Sequence, residues 1–187
     1  SDALAGSRQY FTIARVSRDI LNQSSVGAIY TNEEYPAANM FNRIGGLDGR
    51  IKITPSWTAT LQSVVSSTQL PGNLYRAGPA SYVDTTYSGV HTAYEATYKD
   101  VSPGFISLPG FVNRVDIRDL SNQFDYRFRP ENGPLVAWGP SVHTDWVWSH
   151  DGTRLDLLTD PSLNLRFKGQ SILALYPYTD FHEQLRP

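Results

Sequence analysis

His143 and Asp145 lie two residues apart in the run VHTDWVW, so an extended strand puts an imidazole and a carboxylate on one face. Such a pair could share a metal ion or work as an acid–base couple. A polar surface pair uses the same two residues with no chemistry at all. His91 and Glu95 also share a face, but four strand residues separate them by roughly 13 Å, too far to ligate one ion. Glu33-Glu34 and the Asp151-Gly152 turn could meet calcium, yet neither has the multi-oxygen spacing of a dedicated loop. Trp138, Trp146 and Trp148, with Tyr94 and Tyr98, could stack on sugar rings; a core or an aromatic girdle uses the same residues. The candidate ligand-binding set is therefore Trp138, Trp146, Trp148, His143 and Asp145. There is no Gly-x-Ser-x-Gly elbow and no cysteine nucleophile, and no catalytic residue set, metal set or cofactor is expected.

The elements that must carry these residues are strands. The stretch Tyr94–Arg118 shows the pattern. Tyr94, Ala96 and Tyr98 alternate with Glu95, Thr97 and Lys99, and Val115 and Ile117 alternate with Arg114, Asp116 and Arg118. Pro103, Gly104, Pro109 and Gly110 punctuate the centre. Asp48, Arg50 and Lys52 oppose Leu47, Gly49, Ile51 and Ile53, and Pro55-Ser56 turns this strand into Trp57–Gln69, a hairpin. Gly45-Gly46 reads as a close backbone approach, since no helix follows to make a phosphate cradle.

Tyr10–Val16 and Ser25–Asn32 read as strands, followed by a loop over residues 33–39. Residues 71–79 read as a long loop, and 81–87 as a weak strand. Gln123–Pro130 sets Phe124, Tyr126 and Phe128 against Asp125, Arg127 and Arg129. In Leu135–Ser149, Trp146 and Trp148 oppose His143 and Asp145. Asp151-Gly152 is a hairpin signal before strands at 154–158 and 162–168. A last apolar strand at 169–176 precedes a polar tail, and residues 1–8 read as a frayed lead-in. About ten strands and no amphipathic helix define an all-β antiparallel meander: a β-barrel, or a segment of one, in a single domain over residues 1–187.

Composition narrows the partners. Sixteen basic and eighteen acidic residues in 187 give a net charge of −2, so no nucleic-acid partner is expected. No apolar run reaches the roughly 20 residues of a spanning helix, whereas spanning β-strands hide their apolar residues among polar ones. The absence of cysteine excludes disulfides and thiolate metal sites. Alternation alone leaves the faces ambiguous. In a soluble sheet the charged rows Asp48/Arg50/Lys52, Arg114/Asp116/Arg118 and Asp125/Arg127/Arg129 point to water; in an outer-membrane barrel they line an aqueous interior and the aromatic rows meet lipid.

Five short motifs occur in order: Ala14-Arg15-Val16, Ser25–Asn32, Gly46-Leu47-Asp48, Asp100–Phe105 and Gly110–Asp116. Together they resemble part of a large bacterial envelope family of unknown function, over roughly Arg8–Pro130. Members of that family join a carbohydrate-binding-module-like N-terminal domain to a C-terminal outer-membrane-type β-barrel. Where the family tends to carry a basic residue after its Thr-Asn, this chain has Glu33. The resemblance implies a segment of the barrel region, in the bacterial outer membrane, contacting membrane lipid and further segments or chains that complete the barrel. Its role would be structural or transport, not enzymatic. One alternative is a soluble periplasmic or secreted all-β module binding carbohydrate or another ligand. A second is a hydrolase on a β scaffold using His143 and Asp145.

Overall fold

The computed structural model describes residues 8–21, 23–110 and 112–183. The lead-in over residues 1–7, Phe111 of the fifth motif and the last four residues of the tail lie outside them. The chain is all-β. Eleven strands run β1 (Tyr10–Ile20), β2 (Ser24–Tyr35), β3 (Met40–Thr54), β4 (Trp57–Leu70), β5 (Leu74–Ser88), β6 (Thr92–Val101), β7 (Ile117–Tyr126), β8 (Leu135–Trp148), β9 (Arg154–Phe167), β10 (Ile172–Leu175) and β11 (Asp180–Glu183). They form one antiparallel meander in chain order from β1 to β10, with β11 also paired to β9. Among the described residues no ladder joins β1 to any strand but β2, so the sheet is open: a barrel segment or an open sheet.

Two compact units share β3 to β6. The first comprises Ser1–Lys52, Thr60–Val83 and Lys99–Ile117; the second comprises Ile53–Ala59, Asp84–Tyr98 and Arg118–Pro187.

Several strands differ from the sequence reading. Arg114 and Asp116 precede β7 instead of lying on it: Asp116 takes φ 58°, a left-handed conformation that interrupts a pleat. The loop expected at 71–79 shrinks to a 3-10 turn, Pro71–Asn73, and β5 runs on through Pro79, whose carbonyl accepts Ser102 N–H at 3.1 Å. Strand β2 continues to Tyr35 before the 3-10 turn Pro36–Ala38. The two short strands at 154–158 and 162–168 are one strand, β9, in which Pro161 pairs with Val142. β7 ends at Tyr126, leaving Arg127 and Arg129 on either side of an isolated bridge, Phe128 to Trp138. Part of the tail forms β11. The hairpin at Asp151-Gly152 is present, with Gly152 at φ +89°.

In the first unit, register fixes the faces. Val16, Ala28 and Leu47 align across β1–β3, as do Ala14, Tyr30 and Gly45. On the opposite face Ile13, Thr31 and Ile44 align, as do Phe11, Glu33 and Asn42. Asn42 Nδ2 donates to Thr68 Oγ1 of β4 at 2.6 Å, which puts Thr68 and Ser66 on that second face and Val65 and Leu61 on the first. The first face is apolar and open: Val16 is 68% exposed, Leu47 67% and Val65 55%. The second is mixed: Asn42, Ser66 and Thr68 are fully buried and Ile44 is buried, whereas Phe11 and Ile13 of β1 are exposed. In the second unit, register sorts Leu120, Phe124, Val142, Trp146, Leu157 and Leu163 onto one face. Asp119, Gln123, Asp125, His143, Asp145, Asp156 and Asp160 lie on the other, alongside the buried Ser141 and Val147.

Glycine permits one close crossing that the Gly45-Gly46 pair had suggested. A Cβ at Gly46 would lie 2.3 Å from Ser63 O and 2.5 Å from Val64 Cγ1. No side chain fits between β3 and β4 there.

Candidate functional site

The polar face of the first unit is covered by the connection between β6 and β7. Sequence reading marked that stretch as punctuation, but it packs onto the sheet. Asn42 anchors it. Its Nδ2 donates to Ile106 O at 2.8 Å, and its Oδ1 accepts Leu108 N–H at 3.3 Å. Ser66 Oγ accepts Ile106 N–H at 3.1 Å and donates to Gly78 O at 3.3 Å. Phe105 is buried, and small residues admit the loop: a Cβ at Gly104 would fall 2.2 Å from Ala77 O. Strand polar groups thus satisfy a loop backbone that has no ladder of its own. Between the loop and β1–β4 lies an apolar cleft of about 360 Å³ lined by Phe11, Ile13, Ile44, Val64 and Phe105. At its edge Glu33 is buried, its Oε1 accepting from Tyr35 Oη at 2.6 Å and Gln9 Nε2 at 2.5 Å.

An ion pair forms on this face. Arg15 Nη2 meets Asp48 Oδ2 at 2.7 Å, reaching over Gly27, where a Cβ would come within 3.0 Å of the same carboxylate. Lys52 Nζ donates to Gln23 Oε1 at 2.5 Å, and Arg50 on the same face is exposed. On the apolar face, the ion pair Arg43–Glu34 at 2.7 Å sits next to the β2–β3 turn, with the guanidinium 4.4 Å over the Phe41 ring. From Gly45 through Ile53 that face of β3 bears no charge.

In the second unit the five residues singled out as ligand-binding do not form one site. Trp138, Trp146 and Trp148 share a face, and His143 and Asp145 lie on the other. His143 Nδ1 is within 3.3 Å of Gln123 Oε1, and Gln123 Nε2 donates to Ser141 Oγ at 2.7 Å and to Asp125 Oδ2 at 3.3 Å. The imidazole is thus held by an amide. Among the described residues no group of three or more His, Asp or Glu side chains is placed to hold a metal ion.

Trp138 stacks on Phe128 at 4.5 Å and 20°, Phe128 meets Tyr126 edge-on at 4.7 Å, and Tyr126 stacks on His91 at 6.3 Å. Trp57 sits edge-on to Tyr87 at 6.2 Å and donates from Nε1 to Thr85 Oγ1 at 2.6 Å. Arg118, the second residue of β7, pairs with Trp148 and so lies on the apolar face instead of the charged one, whereas Asp125 near the strand's end lies on the polar face. Arg127 and Arg129 border a cleft of about 510 Å³ that Arg166 and Asn164 of β9 also line.

Asn42, Ser66, Thr68, Arg166 and Asn164 escaped the sequence reading. The first three had one signal: polar residues at even positions within otherwise β-prone strands. No family model, curated protein or solved structure matches the chain.

Proposed function

We propose that this chain is a strand-rich segment of a non-enzymatic bacterial outer-membrane β-barrel, with a structural or transport role. One observation carries the reading: Val16, Leu47 and Val65 form an exposed apolar row, while Asn42, Ser66 and Thr68 on the opposite face are fully buried. A water-soluble sheet hides its apolar face; Leu47, Val16 and Val65 are instead among the more exposed side chains of the first unit. The charge-free face of β3 extends over the nine residues Gly45–Ile53, which fits the roughly 9–11 residues of a tilted spanning strand. Ionic and aromatic groups, Arg43–Glu34 with Phe41 and Trp57 with Tyr87, stand at strand ends, where a membrane interface favours them. Lipid is then the partner of the apolar face, and further strands are the partners of the open edges.

The test is detergent dependence combined with Leu47→Arg. The chain is expected to leave bacterial membranes only with detergent. The substitution is expected to lower folding stability in lipid vesicles by about 2–4 kcal/mol, as for a cation near the bilayer midplane. Monodisperse behaviour in plain buffer, with Leu47→Arg neutral, would refute the reading. That result would favour a soluble carbohydrate-binding module, for which the stacked and exposed Phe128 and Trp138 are the supporting feature. Loss of glycan binding in Trp138→Ala would then establish the alternative.

A further inference from the structure

The cleft of about 510 Å³ in the second unit has the parts of an anion site. Its lining includes two small residues, Ala137 and Gly139, among larger apolar ones such as Trp138, Leu165 and Ile172. Gly139 pairs with Asn164 and Ala137 with Arg166, so these four face the same way, with Asp125 on the neighbouring strand. Gly139 is obligatory, because a Cβ there would fall 1.8 Å from Tyr126 O. The glycine thus lets the backbone at Tyr126–Arg127 lie close against β8 beside the cleft.

Three arginines, Arg127, Arg129 and Arg166, line this cleft with one acid, Asp125. The local excess is two positive charges in a chain whose net charge is −2. The backbone that carries two of the arginines is fixed. Arg127 N–H donates to His91 O at 2.7 Å, and His91 Nδ1 holds Arg127 O at 2.9 Å. Phe128, between the two arginines, exchanges hydrogen bonds of 2.7 and 2.9 Å with Trp138. Arginines on a fixed backbone lose less freedom when they close on a ligand, and the planar guanidinium fork matches a tetrahedral or planar oxyanion in bidentate fashion.

We propose that this cleft binds a small soluble molecule carrying a phosphate-type oxyanion, of the size of a sugar phosphate. Asn164 and Asp125 would meet the hydroxyls of such a ligand, and the arginines its charge. The inference does not depend on which environment the apolar face meets.

The experiment is calorimetric titration of the full chain, in whichever buffer or neutral detergent keeps it monodisperse. The probes are glucose 6-phosphate, unphosphorylated glucose and vesicles of phosphatidylglycerol. Saturable binding of glucose 6-phosphate is expected, weakening as salt is added, with none of glucose. Arg127→Gln and Arg166→Gln should each weaken it by about tenfold. Asp125→Asn should tighten it severalfold, a gain that misfolding cannot produce. No saturable binding of glucose 6-phosphate, equal binding of glucose, unchanged affinity in both arginine variants, or no gain in Asp125→Asn would each overturn the proposal. Binding confined to the vesicles would assign the arginines to lipid headgroups and overturn it too.

Discussion

Replacing Asn42 with alanine should release the loop that covers the polar face of the first unit. The side chain is fully buried and makes three hydrogen bonds, at 2.6 Å to Thr68 Oγ1, 2.8 Å to Ile106 O and 3.3 Å from Leu108 N–H. Each is worth about 0.5–1.5 kcal/mol net, and a partner left buried and unsatisfied costs about 1–3 kcal/mol. Thr68 is itself fully buried, so its hydroxyl loses most. The Ile106 carbonyl and Leu108 amide are only part-buried and can regain water. The expected loss is about 2–3 kcal/mol, concentrated in the loop. At about 1.4 kcal/mol per tenfold, the exchange rates of the Ile106 and Leu108 amides should rise roughly 30- to 140-fold. Strand β9, remote in sequence, should keep its protection. Hydrogen exchange read by NMR or mass spectrometry checks this. Wild-type exchange at both amides would show that the loop holds itself in place without Asn42, and the anchoring account would fail.

Other substitutions probe separate features. Gly46→Ala drives a Cβ into Ser63 O and should cost about 1–3 kcal/mol, seen as a fall in Tm of roughly 2–4 °C per kcal/mol; an unchanged Tm would mean that β3 and β4 can separate without loss. Arg15→Ala should cost less than about 1 kcal/mol, since the arginine of the Arg15–Asp48 pair is 57% exposed; a larger, salt-insensitive loss in denaturant unfolding would show the pair to be effectively buried. His143→Ala should leave the chain folded and remove only the 3.3 Å contact with Gln123, changing Tm by no more than about 2–4 °C; a much larger drop would make the imidazole a structural element of the polar face.

The face on which each residue lies was legible because strand alternation is local. Leu47 opposite Asp48, and Trp146 opposite His143, follow from a period of two and nothing else. Long-range pairing was not legible in the same way. Nothing near Pro103–Gly110 in sequence announces that its backbone will be met by Asn42 and Ser66, some sixty and forty residues earlier. Arg114 and Asp116 alternate with Val115 as a strand would, and only the left-handed turn at Asp116 cancels the pleat. Pro79 and Pro161 argue locally against strands, yet both are tolerated in long ones, where the register of neighbouring strands overrides the missing donor. The arginine cleft joins residues some forty positions apart across three strands, so its members read singly as ordinary surface charges.

β1 pairs with β2 along its whole eleven-residue length, and among the described residues its other rim has no mate. That rim is a template of alternating amides and carbonyls, and it is selective. An incoming strand shifted by one residue would set its greasy side beside Arg15 and its wet side beside Val16, so only every second register is tolerated. Anything that zips onto this border, whether a sister strand or another copy of the molecule, inherits the same two-sidedness and extends it.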